Sequence, residues 1–317
     1  MADVPASRAA AAARKPAWLK VKAPAAGAFR ATAGVLDDLR LHTVCDEARC
    51  PNKGECFSAG TATFLILGDV CTRDCAFCAV EHAGAGPAAP AGLCAPDPGE
   101  PARLAEAAAR LGLAHVVVTS VTRDDLEDGG AAQFAVTIGA LRVALPEATV
   151  EVLVPDFGGD RAALDGVLAA RPDVLGHNLE TVPRLYPEVR PKAAYERSLE
   201  LLRRAARAQP RPLVKTGLMV GLGESVDEIV TVLEGCAAAG ADVVTIGQYL
   251  QPRADCAPVA RYVAPEEFAA LEVEGARRGL RVVAGPFVRS SYRAAEMLSA
   301  AAGERRAVRG ARREEPA

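Results

Sequence analysis

Residues 63–78 read TFLILGDVCTRDCAFC, an apolar run followed at once by three cysteines spaced C-x3-C-x2-C. The run 63–70 has the length and composition of a buried β-strand. Five further short apolar runs come later in the chain, at 115–120, 149–154, 173–176, 213–220 and 242–247. Helical patterns alternate with these runs, at 100–111, 131–143, 161–170, 193–208, 225–235 and 265–278. This alternation predicts the α/β class, with six strand–helix units in a parallel sheet that is either doubly wound or curved into a partial barrel.

Polar, glycine-rich and cysteine residues follow each predicted strand. The three cysteines follow the first strand, Thr119 and Ser120 close the second, and Asn178 and Glu180 follow the fourth. Any one of these residues could belong to an ordinary turn. Because α/β enzymes build their sites at the carboxyl ends of parallel strands, six consecutive instances favour an active site at that edge.

Composition and charge limit the class of protein. Half of the 317 residues are hydrophobic and 4% are aromatic, which is typical of a globular protein with one large or two modest domains. A formal charge of -3 gives no overall attraction to nucleic acid or to an anionic membrane, and no apolar run is long enough for a membrane span. Residues 1–30 are rich in alanine and basic residues but lack the apolar core of a secretory signal, so we expect a solvated tail.

The cysteine content indicates metal binding. The chain has 9 cysteines, and six of them lie between positions 45 and 78. An odd number without a secretory signal argues against a disulfide framework and favours a reducing compartment, so a cytoplasmic location is expected. Cys94, Cys236 and Cys256 match no motif and are expected not to be ligands.

The first cysteine triplet is Cys71, Cys75 and Cys78. Three thiolates on one short loop can bind three irons of a [4Fe–4S] cube and leave the fourth iron open to a substrate. A zinc site made by the three thiolates and His82 is the alternative. Zinc motifs usually show two separated ligand pairs, which favours the iron–sulfur interpretation.

The second triplet, Cys45, Cys50 and Cys56, has the spacing C-x4-C-x5-C. Pro51 and Gly54 supply turns that can bring its thiols together. Taken alone, these cysteines could form a zinc loop or be structural thiols.

A C-x3-C-x2-C loop directly after the first strand resembles the radical S-adenosylmethionine (SAM) enzymes. With the second triplet shortly before it, the chain resembles the lipoyl synthase family from about residue 15 to residue 292. The resemblance implies a partial TIM barrel, (β/α)6, at residues 61–280. It also implies an N-terminal extension, 1–60, that carries an auxiliary iron–sulfur cluster, and a C-terminal extension, 281–317, that contains Arg-Ser-Ser-Tyr at 289–292 and a basic tail.

The resemblance also assigns cofactors and residue roles. It implies two [4Fe–4S] clusters and SAM, with SAM bound to the open iron of the first cluster. In this family the Arg-Ser-Ser-Tyr motif supplies a serine ligand to the auxiliary cluster, which we assign to Ser291, with Ser290 as the alternative. A Ser-Ser pair ahead of a helical stretch could instead be an N-cap. The residues expected to contact SAM are Thr119 and Ser120 on the methionyl part, Asn178 and Glu180 on the ribose, and Arg190 on the carboxylate.

The activity implied by the resemblance is that of a sulfurtransferase in lipoate biosynthesis and protein lipoylation. Sulfur would be inserted at C6 and C8 of a protein-bound N6-octanoyl-lysine, with the auxiliary cluster as sulfur donor. The implied protein substrates are octanoylated lipoyl-carrier domains, namely 2-oxoacid dehydrogenase E2 subunits and the glycine cleavage H protein. The resemblance also implies an electron donor, such as ferredoxin or flavodoxin, and an iron–sulfur carrier protein. It implies no nucleic acid or membrane partner.

Two other classes of protein remain as alternatives. A methylthiotransferase acting on tRNA or ribosomal protein also has two clusters, but it carries flanking domains for which this sequence shows no segment. A two-cluster electron carrier would need four thiolates for each cluster, and each motif here offers three.

Overall fold

The computed structural model of the chain describes residues 15–21, 24–83 and 93–297. Most of the predicted N-terminal tail and the predicted basic C-terminal tail lie outside the described residues. Among the described residues, no helix is both long and apolar enough to cross a membrane.

An eight-stranded sheet occupies the centre of the fold, in the order β1-β2-β5-β6-β7-β8-β9-β10. Seven of its strands run parallel, and β1 alone is antiparallel to its neighbour β2. The sheet is open, with β1 and β10 at its two edges, and β3 and β4 form a separate two-stranded ribbon. In chain order the strands are β1 (His42–Thr43), β2 (Thr63–Ile66), β3 (Val70–Cys71), β4 (Glu81–His82), β5 (His115–Ser120), β6 (Thr149–Leu153), β7 (Val174–Gly176), β8 (Leu213–Val220), β9 (Val243–Gln248) and β10 (Arg281–Gly285).

The longer helices alternate with the parallel strands and cover the sheet. Local sequence explains several of their starts: Ser225 and Glu228 form a capping box, Asp160 accepts from the amide of Ala162, and Pro265 occupies a first-turn position that needs no amide donor. The helices are α1 (Ala26–Asp38), α2 (Val44–Glu47), α3 (Lys53–Ser58), α4 (Glu100–Arg110), α5 (Ala131–Ala144), α6 (Arg161–Ala169), α7 (Tyr186–Val189), α8 (Tyr195–Arg207), α9 (Val226–Ala238) and α10 (Pro265–Ala276).

The hydrophobic core lies between the sheet and this helical layer. Phe64 and Ile66 of β2 are fully buried, as are Leu104 of α4 and Leu202 of α8. Each such side chain contributes roughly 1.5–3 kcal/mol when it leaves water. Strands buried on both faces read as continuous apolar runs, which is why the sequence identified them.

The predicted fold class is confirmed, and all six predicted strands and all six predicted helices are present. The structure adds a seventh parallel strand, β10, which pairs with β9 just beyond the predicted barrel segment. Its run 281–285 begins with Arg281 and is only partly buried, so it lacks the continuous apolar signal of the other strands.

Helix α1 packs against α3 ahead of the first parallel strand. The rings of Phe29 in α1 and Phe57 in α3 lie 5.3 Å apart, and the Thr32 hydroxyl donates to the Phe57 carbonyl oxygen at 2.7 Å. Residues 26–30, expected in a solvated tail, therefore begin a helix instead. The packing fixes the segment that leads to the first cysteines of the chain.

Candidate active site

A cavity of about 350 Å³ lies at the carboxyl ends of the strands. Both cysteine triplets line it, so tertiary structure brings together two motifs that are separate in sequence. Every residue assigned to the site from the sequence lines this one cavity: Cys45, Cys50, Cys56, Cys71, Cys75, Cys78, Thr119, Ser120, Asn178, Glu180, Arg190 and Ser291.

The loop that carries the first triplet is held from several sides. Cys71 ends β3, the amide of Thr72 donates to the Thr122 carbonyl oxygen at 2.9 Å, and the amide of Ala76 donates to the Val189 carbonyl oxygen at 2.9 Å. The Sγ of Cys71 accepts from two backbone amides, those of Arg73 and Thr122, each at 3.4 Å. Amides directed at a thiol sulfur stabilise the thiolate and are among the contacts that set the reduction potential of an iron–sulfur cluster.

The second triplet lies on two short helices, α2 and α3, and on the turn between them, and it lines the same cavity. Cys45 is in α2, whose first turn Thr43 caps by accepting from the amide of Asp46 at 3.1 Å. The amide of Cys50 donates back to the Cys45 carbonyl oxygen at 3.1 Å, and Cys56 follows in α3. These turns bring three thiols of the segment 45–56 to the same cavity wall.

The thiols suit soft metal ions. All six are free, and burial raises the pKa of Cys45 and of Cys78 to about 12 and that of Cys56 to about 11. Metal binding requires thiolates, and a bound cation supplies the charge that stabilises them in a buried site. The residues present therefore fit iron–sulfur clusters.

A single zinc ion and a four-iron cube require different arrangements of their ligands. Zinc needs four ligands around one point, at about 2.3 Å for sulfur. Within residues 15–21, 24–83 and 93–297, no three Cys, His, Asp or Glu side chains converge in that way. In a cube each thiolate binds a different iron, so convergence is not required. His82, the fourth ligand of the zinc alternative, is exposed and does not line the cavity.

The C-terminal motif reaches the second triplet through contacts on either side of Ser291. The side-chain amide of Asn52 donates to the Phe287 carbonyl oxygen at 2.7 Å, and the Tyr292 hydroxyl donates to Glu55 at 2.9 Å. Asn52 and Glu55 both lie between Cys50 and Cys56. Ser291 thus lines the cavity beside the auxiliary triplet.

The two serines of the motif differ in their partners. The Ser290 hydroxyl donates to Oδ1 of Asn178 at 2.8 Å, whereas Ser291 has no such bond in the part of the chain that is described. The helical turn that follows begins at residue 294, so the N-cap position falls after both serines. Of the two hydroxyl groups, that of Ser291 is the one without a hydrogen-bond partner among the described residues.

The residues expected to contact SAM form the wall next to the first triplet. Thr119 already donates to the Leu153 carbonyl oxygen at 2.8 Å, but Oγ of Ser120 and Nε of Arg190 are buried without a hydrogen-bond partner. Buried polar atoms are seldom left unpaired in proteins, so a polar ligand at this wall is indicated. Burial raises the pKa of Glu180, while the positive charge of Arg190 and the amide of Asn178 oppose that rise.

Three further residues of the site, Arg73, Asp156 and His177, were given no role from the sequence, although Asp156 and His177 follow predicted strands. Arg73 lies between Cys71 and Cys75 and donates to Asp156, and His177 follows β7. The sequence offered one indication for Arg73, namely that it is a charged residue within the first cysteine loop.

His177 donates from Nδ1 to the Val154 carbonyl oxygen and accepts at Nε2 from a serine hydroxyl. Burial lowers its pKa to about 4, so the ring is neutral.

The three unassigned cysteines lie outside the cavity lining. Cys94 is exposed and Cys236 is buried within α9. Cys256 is buried beside the first loop, where its thiol donates to the Cys78 carbonyl oxygen at 3.4 Å.

Known proteins share both the sequence motifs and the fold. Residues 65–235 match the family model of the Radical SAM superfamily, and residues 4–50 match that of the N-terminal domain of lipoyl synthase of the Radical SAM family. The crystal structure of methylornithine synthase (PylB) aligns with a TM-score of 0.50 at 14% identity, over 82% of this chain and 78% of that one. Streptococcus suis SuiB bound to S-adenosylmethionine aligns with a TM-score of 0.51 at 11% identity, over 70% of this chain and 49% of that one. These two likenesses show the fold.

Curated relatives are much closer in sequence. The chain is 54% identical to a lipoyl synthase of Nitratidesulfovibrio vulgaris over 90% of its length and 93% of the relative, and 53% identical to a lipoyl synthase of Thermus thermophilus over 88% and 85%. The fold and the three-cysteine loop define an enzyme of the radical SAM superfamily. Within that superfamily, the chain belongs to the lipoyl synthase family. Membership confirms the predicted enzyme class and cofactors, SAM and [4Fe–4S] clusters, and decides against the electron-carrier and methylthiotransferase alternatives.

Proposed function

We propose that this protein inserts sulfur at C6 and C8 of an octanoyl chain that is amide-linked to a lysine of a lipoyl-carrier domain. The observation that carries the proposal is that both cysteine triplets line one cavity. Clusters held by these two triplets would supply a radical source and a sulfur donor to the same cavity. When bound, the cofactors supply the radical chemistry that unactivated C–H bonds require.

We assign the following roles to the residues that line the cavity. Cys71, Cys75 and Cys78 hold the cluster that binds SAM, and Cys45, Cys50, Cys56 and Ser291 hold the auxiliary cluster that donates sulfur. Thr119, Ser120, Asn178, Glu180 and Arg190 bind SAM, and the unpartnered Ser120 hydroxyl and Arg190 Nε support that role. A hard serine oxygen is a weaker ligand for iron in such a site than a thiolate, which suits a cluster that gives up sulfide.

The apolar part of the cavity suits the acyl chain. Val44, Phe77, Leu153, Met219 and Leu250 contribute to its lining, alongside the cysteines. Each methylene buried there contributes about 0.8 kcal/mol to binding. These apolar side chains also exclude water, which protects a reactive intermediate from side reactions.

The proposed partners follow from this chemistry. The substrates are octanoylated carrier domains of 2-oxoacid dehydrogenase E2 subunits and of the glycine cleavage H protein. Ferredoxin or flavodoxin supplies electrons, and an iron–sulfur carrier protein rebuilds the auxiliary cluster after turnover. Free thiols at every cluster position suit a reducing compartment, so we place the reaction in the cytoplasm.

The test is a product assay with the anaerobically reconstituted, reduced protein, SAM and an octanoyl-lysine peptide. We expect a lipoyl peptide and roughly two equivalents of 5′-deoxyadenosine for each lipoyl group formed. The matched control is the Cys45→Ala, Cys50→Ala, Cys56→Ala variant, which should release 5′-deoxyadenosine without adding sulfur. SAM cleavage by the unaltered protein with no sulfur in the peptide would contradict the proposal.

A further inference from the structure

Three side chains that line the cavity form a continuous hydrogen-bonded chain. The Ser290 hydroxyl donates to Oδ1 of Asn178 at 2.8 Å, and Nδ2 of Asn178 donates to Oε1 of Glu180 at 3.0 Å. The NH2 group of Asn178 therefore faces Glu180, and its oxygen faces Ser290. The orientation of this one amide is therefore linked to the position of Ser290.

Glycines in the barrel strands make room for this chain. A Cβ at Gly217 of β8 would lie 2.7 Å from the Ser290 oxygen and 2.8 Å from Oδ1 of Asn178. A Cβ at Gly247 of β9 would collide with the Val288 carbonyl oxygen. The segment 288–290 thus lies directly against the strands, where any side chain larger than hydrogen would displace it.

The other end of the motif is tied to the auxiliary triplet. Glu55, next to Cys56, accepts from the Tyr292 hydroxyl at 2.9 Å and from Arg293 at 3.1 Å. Ser291 lies between the two attachments, with Ser290 bound toward Asn178 and Tyr292 bound toward the second cysteine loop. A displacement of Asn178 would therefore move Ser290, and through the backbone it would move the adjacent Ser291.

We propose that Ser290 is a positioning residue that couples SAM binding at Asn178 and Glu180 to the auxiliary cluster beside Ser291. This inference rests on the proposed function, since it takes Asn178 and Glu180 as SAM contacts and Ser291 as an iron ligand. SAM bound against Asn178 and Glu180 would restrict the motion of the amide that accepts from Ser290, and so would hold the neighbouring Ser291 in place. Because binding linkage is reciprocal, a filled auxiliary site must then increase the affinity for SAM.

The experiment measures SAM binding to oxidised, reconstituted protein, in which no turnover occurs. Four proteins form a thermodynamic cycle: the unaltered chain, Ser290→Ala, the Cys45→Ala, Cys50→Ala, Cys56→Ala triple variant, and the combination of all four changes. Loss of the auxiliary cluster should weaken SAM binding about fivefold when Ser290 is present. In the Ser290→Ala background, the same loss should leave the dissociation constant unchanged.

Two further variants make the result decisive. Gly217→Ala would crowd Ser290 and Asn178 from β8, so it should abolish the coupling as Ser290→Ala does. It provides a second, independent variant in case Ser290→Ala fails to fold. Ser225→Ala removes a serine that caps α9 and should leave the coupling intact. The coupling would be overturned if loss of the auxiliary cluster weakened SAM binding equally with and without the Ser290 hydroxyl. It would also be overturned if that loss changed SAM binding in neither background. Iron content is measured in the same samples, and full iron in the triple variant would overturn the proposed function instead.

Discussion

The guanidinium of Arg73, inside the first cysteine loop, donates to the fully buried carboxylate of Asp156 at 2.5 Å, across 83 residues of sequence. Arg73 also binds Asp124 through two hydrogen bonds of 2.8 Å, and Arg197 reaches Asp156 from the other side at 3.2 Å. Burial alone would raise the pKa of Asp156, but the hydrogen bond and charge of Arg73 outweigh it and lower the pKa to about 2. This buried ion pair fixes the metal loop to the end of β6.

Asp156→Asn should destabilise the protein because it leaves Arg73 buried with one charged partner fewer. The lowered pKa corresponds to about 2 kcal/mol of folding free energy. That contribution is complete above the usual pKa of 3.8 and is lost only as the pH falls toward about 2. Urea unfolding of the metal-free protein should therefore show the same cost at pH 5.5 and pH 8. A smaller cost at pH 5.5 would mean that Asp156 titrates much higher than its contacts indicate.

His177→Gln should remove a pH dependence of stability. The folded ring has a pKa of about 4, whereas the unfolded ring titrates at its ordinary 6.5, so the unfolded chain takes up a proton first as the pH falls. Between pH 8 and pH 5 the unaltered protein should lose about 2 kcal/mol from this residue. Glutamine can keep both hydrogen bonds without taking up a proton, so urea unfolding of the variant should not show that loss. An equal loss in both proteins would assign the pH dependence to other groups.

Iron analysis should show that each of the two cysteine triplets binds its own cluster. Anaerobically reconstituted protein should contain about eight irons, from two four-iron cubes. The triple variant of Cys45, Cys50 and Cys56 to alanine should contain about half of that, because one set of thiolates is gone. Iron and sulfide analysis per chain measures the outcome. Zinc in place of iron, or undiminished iron in the variant, would contradict the assignment of two cubes.

Cys75→Ala should abolish SAM cleavage itself. Without this thiolate the loop holds too few ligands to keep a cube with one open iron. The assay is release of 5′-deoxyadenosine after reduction with dithionite, and Cys236→Ala serves as the control because Cys236 is buried in α9 outside the cavity lining. Continued 5′-deoxyadenosine release from the Cys75 variant would remove this loop from the reaction.

Ser291→Cys should keep the auxiliary cluster bound but suppress sulfur insertion. Thiolate is the softer and better ligand for iron in such a site, so the cluster should surrender sulfide more slowly. Ser225→Cys is the control, since Ser225 caps α9 and lies outside the cavity lining, and it should leave the iron–serine bond in place. Single-turnover assays with iron analysis distinguish the two. Full activity of Ser291→Cys would exclude a labile serine ligand.

Much of the site could be predicted from the sequence because its elements are local. The cysteine spacings are set within single loops, and the six strand–helix units show their own periodicity. By contrast, β10 was missed because Arg281 and its partly buried neighbours weaken the apolar signal. The start of α1 was also missed, because prolines nearby in the sequence obscured a helix that packing against Phe57 stabilises.

By itself, the sequence of this protein determined the strand–helix alternation, the two sets of three thiols and the set of residues at the strand ends. Only the tertiary structure distinguished the two adjacent serines, because Ser290 donates to Asn178 across 112 residues of sequence. The same holds for the Arg73–Asp156 pair that fixes the metal loop. Sequence periodicity reports which face of an element is buried, whereas the partner of a polar side chain is set by how distant strands are brought side by side in the sheet.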